Sequence, residues 1–153
     1  MIMKCKTIKK VCFMEGYMKN YYDALVENLE VYDGEYASFI NHGPSLFNLL
    51  CGLLEKDISQ DLRKDVCVAI GYYVVPMDVI PEQIYGPHGY VDDVYLSVYV
   101  LKLVADEYGY DILQEVWNKP DDIKTVMEEC ETKALEILKE EDIEAILTYS
   151  GLK

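Results

Sequence analysis

Val91-Asp92-Asp93-Val94-Tyr95-Leu96-Ser97-Val98-Tyr99-Val100-Leu101-Lys102-Leu103-Val104-Ala105 is the stretch whose reading decides the fold. Its valines favour a strand by propensity. Its length argues the other way, because about 15 residues is long for a strand, and apolar and polar positions do not alternate. Read as a helix, the stretch is apolar nearly all round, and a helix of that kind is buried on most sides. Val66 to Val75 has the same character. The two segments are therefore read as a central helical pair, and no run of hairpin turn signals supports a sheet.

The flanking segments are amphipathic. Ile123, Val126, Met127, Cys130, Ala134 and Ile137 recur at helical spacing and predict one core-facing stripe. Pro120 suits the first turn of that helix, and Asp121 and Asp122 suit the positive end of its dipole. Ile143, Ile146 and Leu147 continue the face in a last short helix that stops near Gly151. Upstream, residues 17–31 read as a helix with Tyr21, Leu25, Leu29 and Tyr32 as its inner stripe, ended by Asp33-Gly34. A short helix over 35–41 precedes the turn His42-Gly43-Pro44, and 45–54 reads as a compact apolar helix. Asp57 is the expected cap of the next helix, with Gln60 as its capping-box partner. The expectation is all-α: one domain over residues 1–153, a compact bundle of six to eight helices around a central apolar hairpin at 66–104.

The hairpin is joined by Pro76-Met77-Asp78-Val79-Ile80-Pro81-Glu82, then Gly86-Pro87-His88-Gly89, then Asp92-Asp93. Pro76 ends the first helix, because it lacks an N–H and disfavours helix in the residue before it. Asp78 suits the cap of a following turn, with Pro81 at a position where its missing N–H costs little. Gly86 and Gly89 let the chain reverse. Asp92 and Asp93 fall at the start of the second helix, where negative charge is favoured by roughly 0.3–1 kcal/mol each.

This combination resembles the YkvA-like family, also called domain of unknown function 1232. The matching residues are Pro76, Asp78, Val79, Ile80, Pro81, Glu82, Asp92 and Asp93, with Gly71-Tyr72-Tyr73 on the preceding helix. The resemblance spans residues 66–104. Two departures stand out: the family's turn proline is replaced by Tyr85 or displaced to Pro87, and the loop before Asp92 is one residue longer. The family implies a small helical module, linked in some relatives to membrane segments, with no established reaction.

The hairpin brings both helix ends together, so Asp78, Asp92 and Asp93 are expected to converge, with Glu82 and His88 in the same loop. The residues allow two roles. Clustered carboxylates bind hard cations such as Mg²⁺ or Ca²⁺, and a bound cation activates water for hydrolysis. Alternatively Asp78 caps one turn and Asp92 or Asp93 caps the next helix, which requires no chemistry. The second role is the expected one, with no cofactor and no catalytic residue. His42 and His88, the two histidines, stand in turns and read as polar surface residues. No GxSxG, HExxH, P-loop or GxGxxG pattern occurs.

Composition narrows the function classes. The net charge is −14, which argues against direct nucleic-acid binding, since that affinity comes mainly from Lys and Arg. The charge is uneven: residues 1–20 hold five Lys and one Glu, while residues 121–144 hold ten acids and three Lys. Glu128, Glu129, Glu131, Glu136 and Glu140 are expected to project to solvent as a negative strip. The 14 tyrosines suit half-buried positions at helix contacts or an interface. The five cysteines are scattered without a CxxC, as in reduced cytosolic proteins. Cys51, Cys67 and Cys130 lie among apolar residues and are expected to act as small core hydrophobes. No signal peptide and no apolar run of the roughly 18 residues needed for a span is seen.

The functional expectation is a small acidic cytoplasmic helical module that binds a protein partner or a second copy of itself. One alternative is an acidic decoy or inhibitor of a nucleic-acid-binding protein. A second is a metal-dependent hydrolase using Asp78, Asp92 and Asp93.

Overall fold

The computed structural model describes residues 22, 23, 25, 26, 37–74 and 90–152. Every regular element among them is helical, which makes the fold all-α. In chain order the helices are α1 (Ala37–Ile40), α2 (Gly43–Leu53), α3 (Gln60–Val74), α4 (Val91–Tyr108), α5 (Tyr110–Trp117), α6 (Ile123–Ile137) and α7 (Glu140–Ser150). Tyr22, Asp23, Leu25 and Val26 are helical as well. The hairpin connection, residues 75–89, lies outside the described residues.

α4 is the hub. Eleven of its 18 residues are buried, and it packs against α2, α3, α5, α6 and α7. Its apolar character on all sides follows from that position: a helix ringed by other helices has little face left for water. α3 is its main neighbour but is less central than its apolar run suggests. Leu62, Val66, Ala69, Ile70, Tyr72 and Tyr73 are buried, while Asp61, Lys64 and Cys67 are exposed. Cys67 is therefore not the core residue its neighbours imply. Cys130 is buried as expected, and Cys51 is half-buried.

The stripe predicted for α6 is present: Ile123, Val126, Met127, Cys130 and Ala134 are buried and Ile137 is partly so. Its start differs from expectation. Pro120 lies before the helix, and Asp122 is the N-cap, accepting from the Thr125 N–H at 3.2 Å and its hydroxyl at 2.8 Å. α3 is also capped differently. Ser59, not Asp57, accepts the Leu62 N–H at 3.2 Å, and its carbonyl takes the Arg63 N–H. Ser59 directly precedes the first helical residue, whereas Asp57 lies two positions too early.

α5 was not legible as a separate helix. Gly109 (φ +84°) ends α4 and starts α5, and Asn118 (φ +51°) ends α5. The Gln114 amide then ties the turn into α6. Its Nε2 donates to the carbonyls of Lys119 (3.3 Å) and Asp121 (3.0 Å), and its Oε1 accepts the Ile123 N–H at 2.8 Å. One side chain thus satisfies an N–H that would otherwise be left over at a helix start. α7 ends at Gly151 (φ +81°), a left-handed cap.

Tyrosines occupy the full range of environments. Tyr72, Tyr73 and Tyr90 are buried, Tyr95, Tyr99 and Tyr110 are partly buried, and Tyr149 is 59% exposed. Among the described residues no helix is long and apolar enough to cross a membrane.

Two helical glycines have opposite surroundings. A Cβ on Gly52 of α2 would meet Val116 Cγ1 at 2.5 Å, so α2 and α5 touch through that missing side chain. A Cβ on Gly71 of α3 would meet no described atom within 4 Å. Val116 is β-branched and stiff at χ1, so it yields poorly. Gly52→Ala should therefore lose about 1–3 kcal/mol to overpacking. Gly71→Ala should gain about 0.5–1 kcal/mol from helix propensity. Urea denaturation of both variants checks the pair, and equal responses would contradict the packing at Gly52.

Candidate functional site

The site grows from the first turn of α4. Asp92 and Asp93 are its second and third residues, after Tyr90 at the N-cap, which makes no side-chain cap bond. Both are interior residues, 0% and 1% exposed. Asp92 Oδ1 accepts the Asp93 N–H at 3.0 Å, taking up one of the unpaired amides of the helix start. Asp92 Oδ2 accepts the Tyr72 hydroxyl at 2.9 Å. Asp92 thus serves the helix end from within the first turn, and neither aspartate is the cap residue itself.

The next tyrosine carries the network into α2. Tyr73 donates to the Gly43 carbonyl at 3.2 Å and packs edge-on against Phe47, with ring centroids 5.2 Å apart. Ser97, one turn after Asp93, places its hydroxyl 2.8 Å from the Asp93 carbonyl and 3.0 Å from the Tyr73 oxygen. Its single proton serves one of these at a time. The last turn of α3 is thereby bonded to the first turn of α4 by Tyr72 and to the start of α2 by Tyr73. Adjacent positions on a helix point about 100° apart, so two consecutive tyrosines reach two different neighbours.

Of the residues singled out in the sequence, Asp92 and Asp93 are placed here. Pro76, Asp78, Pro81, Glu82 and His88 lie outside the described residues. Among the described residues no group of three or more His, Cys, Asp or Glu is placed to hold a metal ion. The residues that sequence reasoning did not assign to the site are Tyr72, Tyr73 and Ser97. A signal for them was present. A polar Asp-Asp and a Ser four residues on, inside an otherwise apolar helix, need polar partners, and Gly71-Tyr72-Tyr73 offers two hydroxyls.

The negative strip on α6 has one departure. Glu128, Glu129 and Glu136 are exposed, as is Glu140 at the start of α7. Glu131 turns back to Lys102 of α4, with Nζ to Oε2 at 2.9 Å. That pairing, chiefly the hydrogen bond, holds the Lys102 ammonium above its usual pKa.

The thiols are unsuited to nucleophilic work inside the bundle. Burial, with a smaller contribution from Glu129, pushes Cys130 up to about 12. Burial, with a smaller contribution from Cys67, pushes Cys51 up to about 11. The thiolate is the reactive form, so both stay protonated and inert near neutral pH.

Residues 66–99 match the family described as protein of unknown function (DUF1232). That segment contains Tyr72, Tyr73, Asp92, Asp93 and Ser97, every residue of the network but Gly43 on α2. Similarity extends further in an uncharacterized protein, ORF9, of Methanothermobacter thermautotrophicus. It is 33% identical over 105 residues, covering 68% of this chain and 72% of that protein. No solved structure matches the chain. The chain belongs to the DUF1232 family.

Two outcomes follow. Tyr72→Phe removes a hydrogen bond from a buried carboxyl group and should lower stability by about 1–3 kcal/mol. Ser97→Ala should lose about 1 kcal/mol. Denaturant titrations rank the two, and a neutral Tyr72→Phe would show that the bond does not hold the hairpin. Among Cys51, Cys67 and Cys130, iodoacetamide at pH 8 should modify Cys67 first, with Cys130 protected until the protein unfolds. Peptide mass spectrometry reads the order directly.

Proposed function

We propose that the chain is a non-catalytic, acidic interaction module that binds a basic protein surface through the outer faces of α6 and α7. The supporting observation is the division of its acids. The family aspartates Asp92 and Asp93 are in the interior, with the Asp92 carboxyl bonded to Tyr72 and to the helix start. The acids that water reaches include Glu128, Glu129, Glu136, Glu140, Glu141 and Glu144. Lys124 and Lys139, exposed in the same region, leave a strong negative excess. An interior carboxyl bonded as Asp92 is fixes a conformation, and surface carboxyls in such numbers attract cations. The reading requires no cofactor. Reduced thiols suit a cytoplasmic setting.

Exposed charges act over roughly 8 Å at physiological ionic strength, so the association should weaken as salt rises. The test is affinity capture from the native host, followed by titration of the recovered partner with salt. Glu128→Lys combined with Glu129→Lys should reduce its binding severalfold. A partner that binds equally at low and high salt, and equally to the charge-swapped variant, would overturn the reading. A clear complex with DNA or RNA in a low-salt gel shift would overturn it as well. Recovery of a nucleic-acid-binding protein would make the module a decoy for that protein's natural ligand.

A further inference from the structure

We propose that Cys51 of α2 and Cys67 of α3 form a reversible disulfide, a redox-controlled clamp between the two helices. The inference stands apart from the acidic-module reading, because it uses neither the surface glutamates nor a partner.

The register of the two helices carries it. α2 and α3 pack against each other in antiparallel directions, and their contacts are pinned at two heights. At one end the Arg63 guanidinium donates to the carbonyls of Leu54 and Lys56. At the other, Tyr73 donates to the Gly43 carbonyl and sets its ring edge-on against Phe47. Cys51 lies four residues after Phe47 and three before Leu54, while Cys67 lies six before Tyr73 and four after Arg63. Each cysteine is therefore just over half-way from the tyrosine end to the arginine end, and the two stand at the same height.

Rotation agrees with height. Phe47, Cys51 and the Leu54 cap share one stripe of α2, and Arg63 and Cys67 share one stripe of α3. The stripes that meet at the ends thus carry the thiols between them. Packed helices stand roughly 8–10 Å apart axis to axis, with Cα atoms about 2.3 Å off each axis, so facing positions fall within the roughly 7 Å that a disulfide spans. Charge gives a separate sign of closeness. A charge shifts a neighbouring group mainly from within ~4–6 Å, and Cys67 adds to burial in raising the Cys51 thiol.

Exposure assigns the two roles. Cys67 is exposed and meets a soluble oxidant, whereas Cys51 is half-buried. The oxidant is a small disulfide. The Cys67 thiolate attacks one of its sulfurs, the old S–S bond breaks, and one small thiol leaves with the electron pair. Cys51 then loses its proton and attacks the Cys67 sulfur, expelling the second small thiol. Two protein thiols are oxidised, one small disulfide is reduced, and the two protons end on the departing thiols. Cys51, held protonated, is slow towards solutes, but the mixed disulfide on Cys67 sets its target sulfur alongside, where proximity offsets a small thiolate fraction. The closed loop restricts the unfolded chain, so oxidation stabilises the fold and reduction releases it.

Titration of the full chain with glutathione disulfide against glutathione tests the proposal, read by acid quench, alkylation and peptide mass spectrometry. A Cys67–glutathione adduct should form first, and a linked Cys51–Cys67 peptide should replace it. The linked protein should melt higher than the reduced one, and dithiothreitol should reverse the shift. Cys51→Ser should stop at the adduct, and Cys67→Ser should form neither product. The wild-type products decide by themselves if Cys51→Ser folds poorly. An adduct on Cys67 that persists in wild type would overturn the proposal. A bridge from Cys67 to Cys5, Cys12 or Cys130, or between the Cys67 residues of two chains, would overturn it too. A linked form that melts lower than the reduced one would contradict the clamp.

Discussion

A carboxyl group placed inside a helical bundle must be met by donors, and that constraint organises this protein. Asp92 opens α4, the helix that the others pack around, and is fully buried there. An unsatisfied polar group in that position costs several kcal/mol, enough to remove much of the stability of a domain this size. The solution uses the Asp93 amide on one oxygen and the Tyr72 hydroxyl on the other. The positive end of the α4 dipole adds to it. Because Tyr72 belongs to α3, meeting the carboxyl also sets how the end of α3 stands against the start of α4. Tyr73 extends the same condition to α2 through the Gly43 carbonyl. Apolar packing brings these helices together, but apolar contacts tolerate sliding, and directional bonds between named turns do not.

Acidic residues therefore have two unrelated roles here. Asp92 and Asp93 belong to the interior and are part of the fold. The acids of α6 and α7 stay in water, where they contribute little to stability individually and much to the field around the molecule. Glu131 is intermediate, drawn back to Lys102 by an ion pair that links α6 to the hub helix. This division explains how so acidic a chain sustains a packed core: the repulsion is displaced to helix faces that no other described element covers.

Most helices could be read from periodicity, because a stripe such as Ile123, Val126, Met127, Cys130 and Ala134 has one physical explanation. α5 escaped because eight residues make barely two turns, and Tyr110, Leu113 and Trp117 look like a continuation of α4 until Gly109 is seen to break it. Cys67 is exposed despite its apolar neighbours in sequence, because local company says nothing about which side of α3 faces out. Asp57 and Ser59 both suit a cap by residue type, and only the chain's path shows that Ser59 stands next to the helix.

What the amino-acid sequence determined by itself was the helical class, the two apolar runs, the DUF1232 pattern across residues 66–99 and the acidic excess near residues 121–144. These are local properties, set by spacing, propensity and charge, which act over a few residues. Tertiary structure alone decided that Tyr72, twenty residues before Asp92, supplies its partner, and that Tyr73 and Ser97 meet. It also decided that a Cβ on Gly52 would press against Val116 while one on Gly71 would meet no described side chain within 4 Å. Those outcomes depend on how helices are rotated and set against one another, and a linear pattern does not encode that rotation where an apolar helix has no uniquely preferred side.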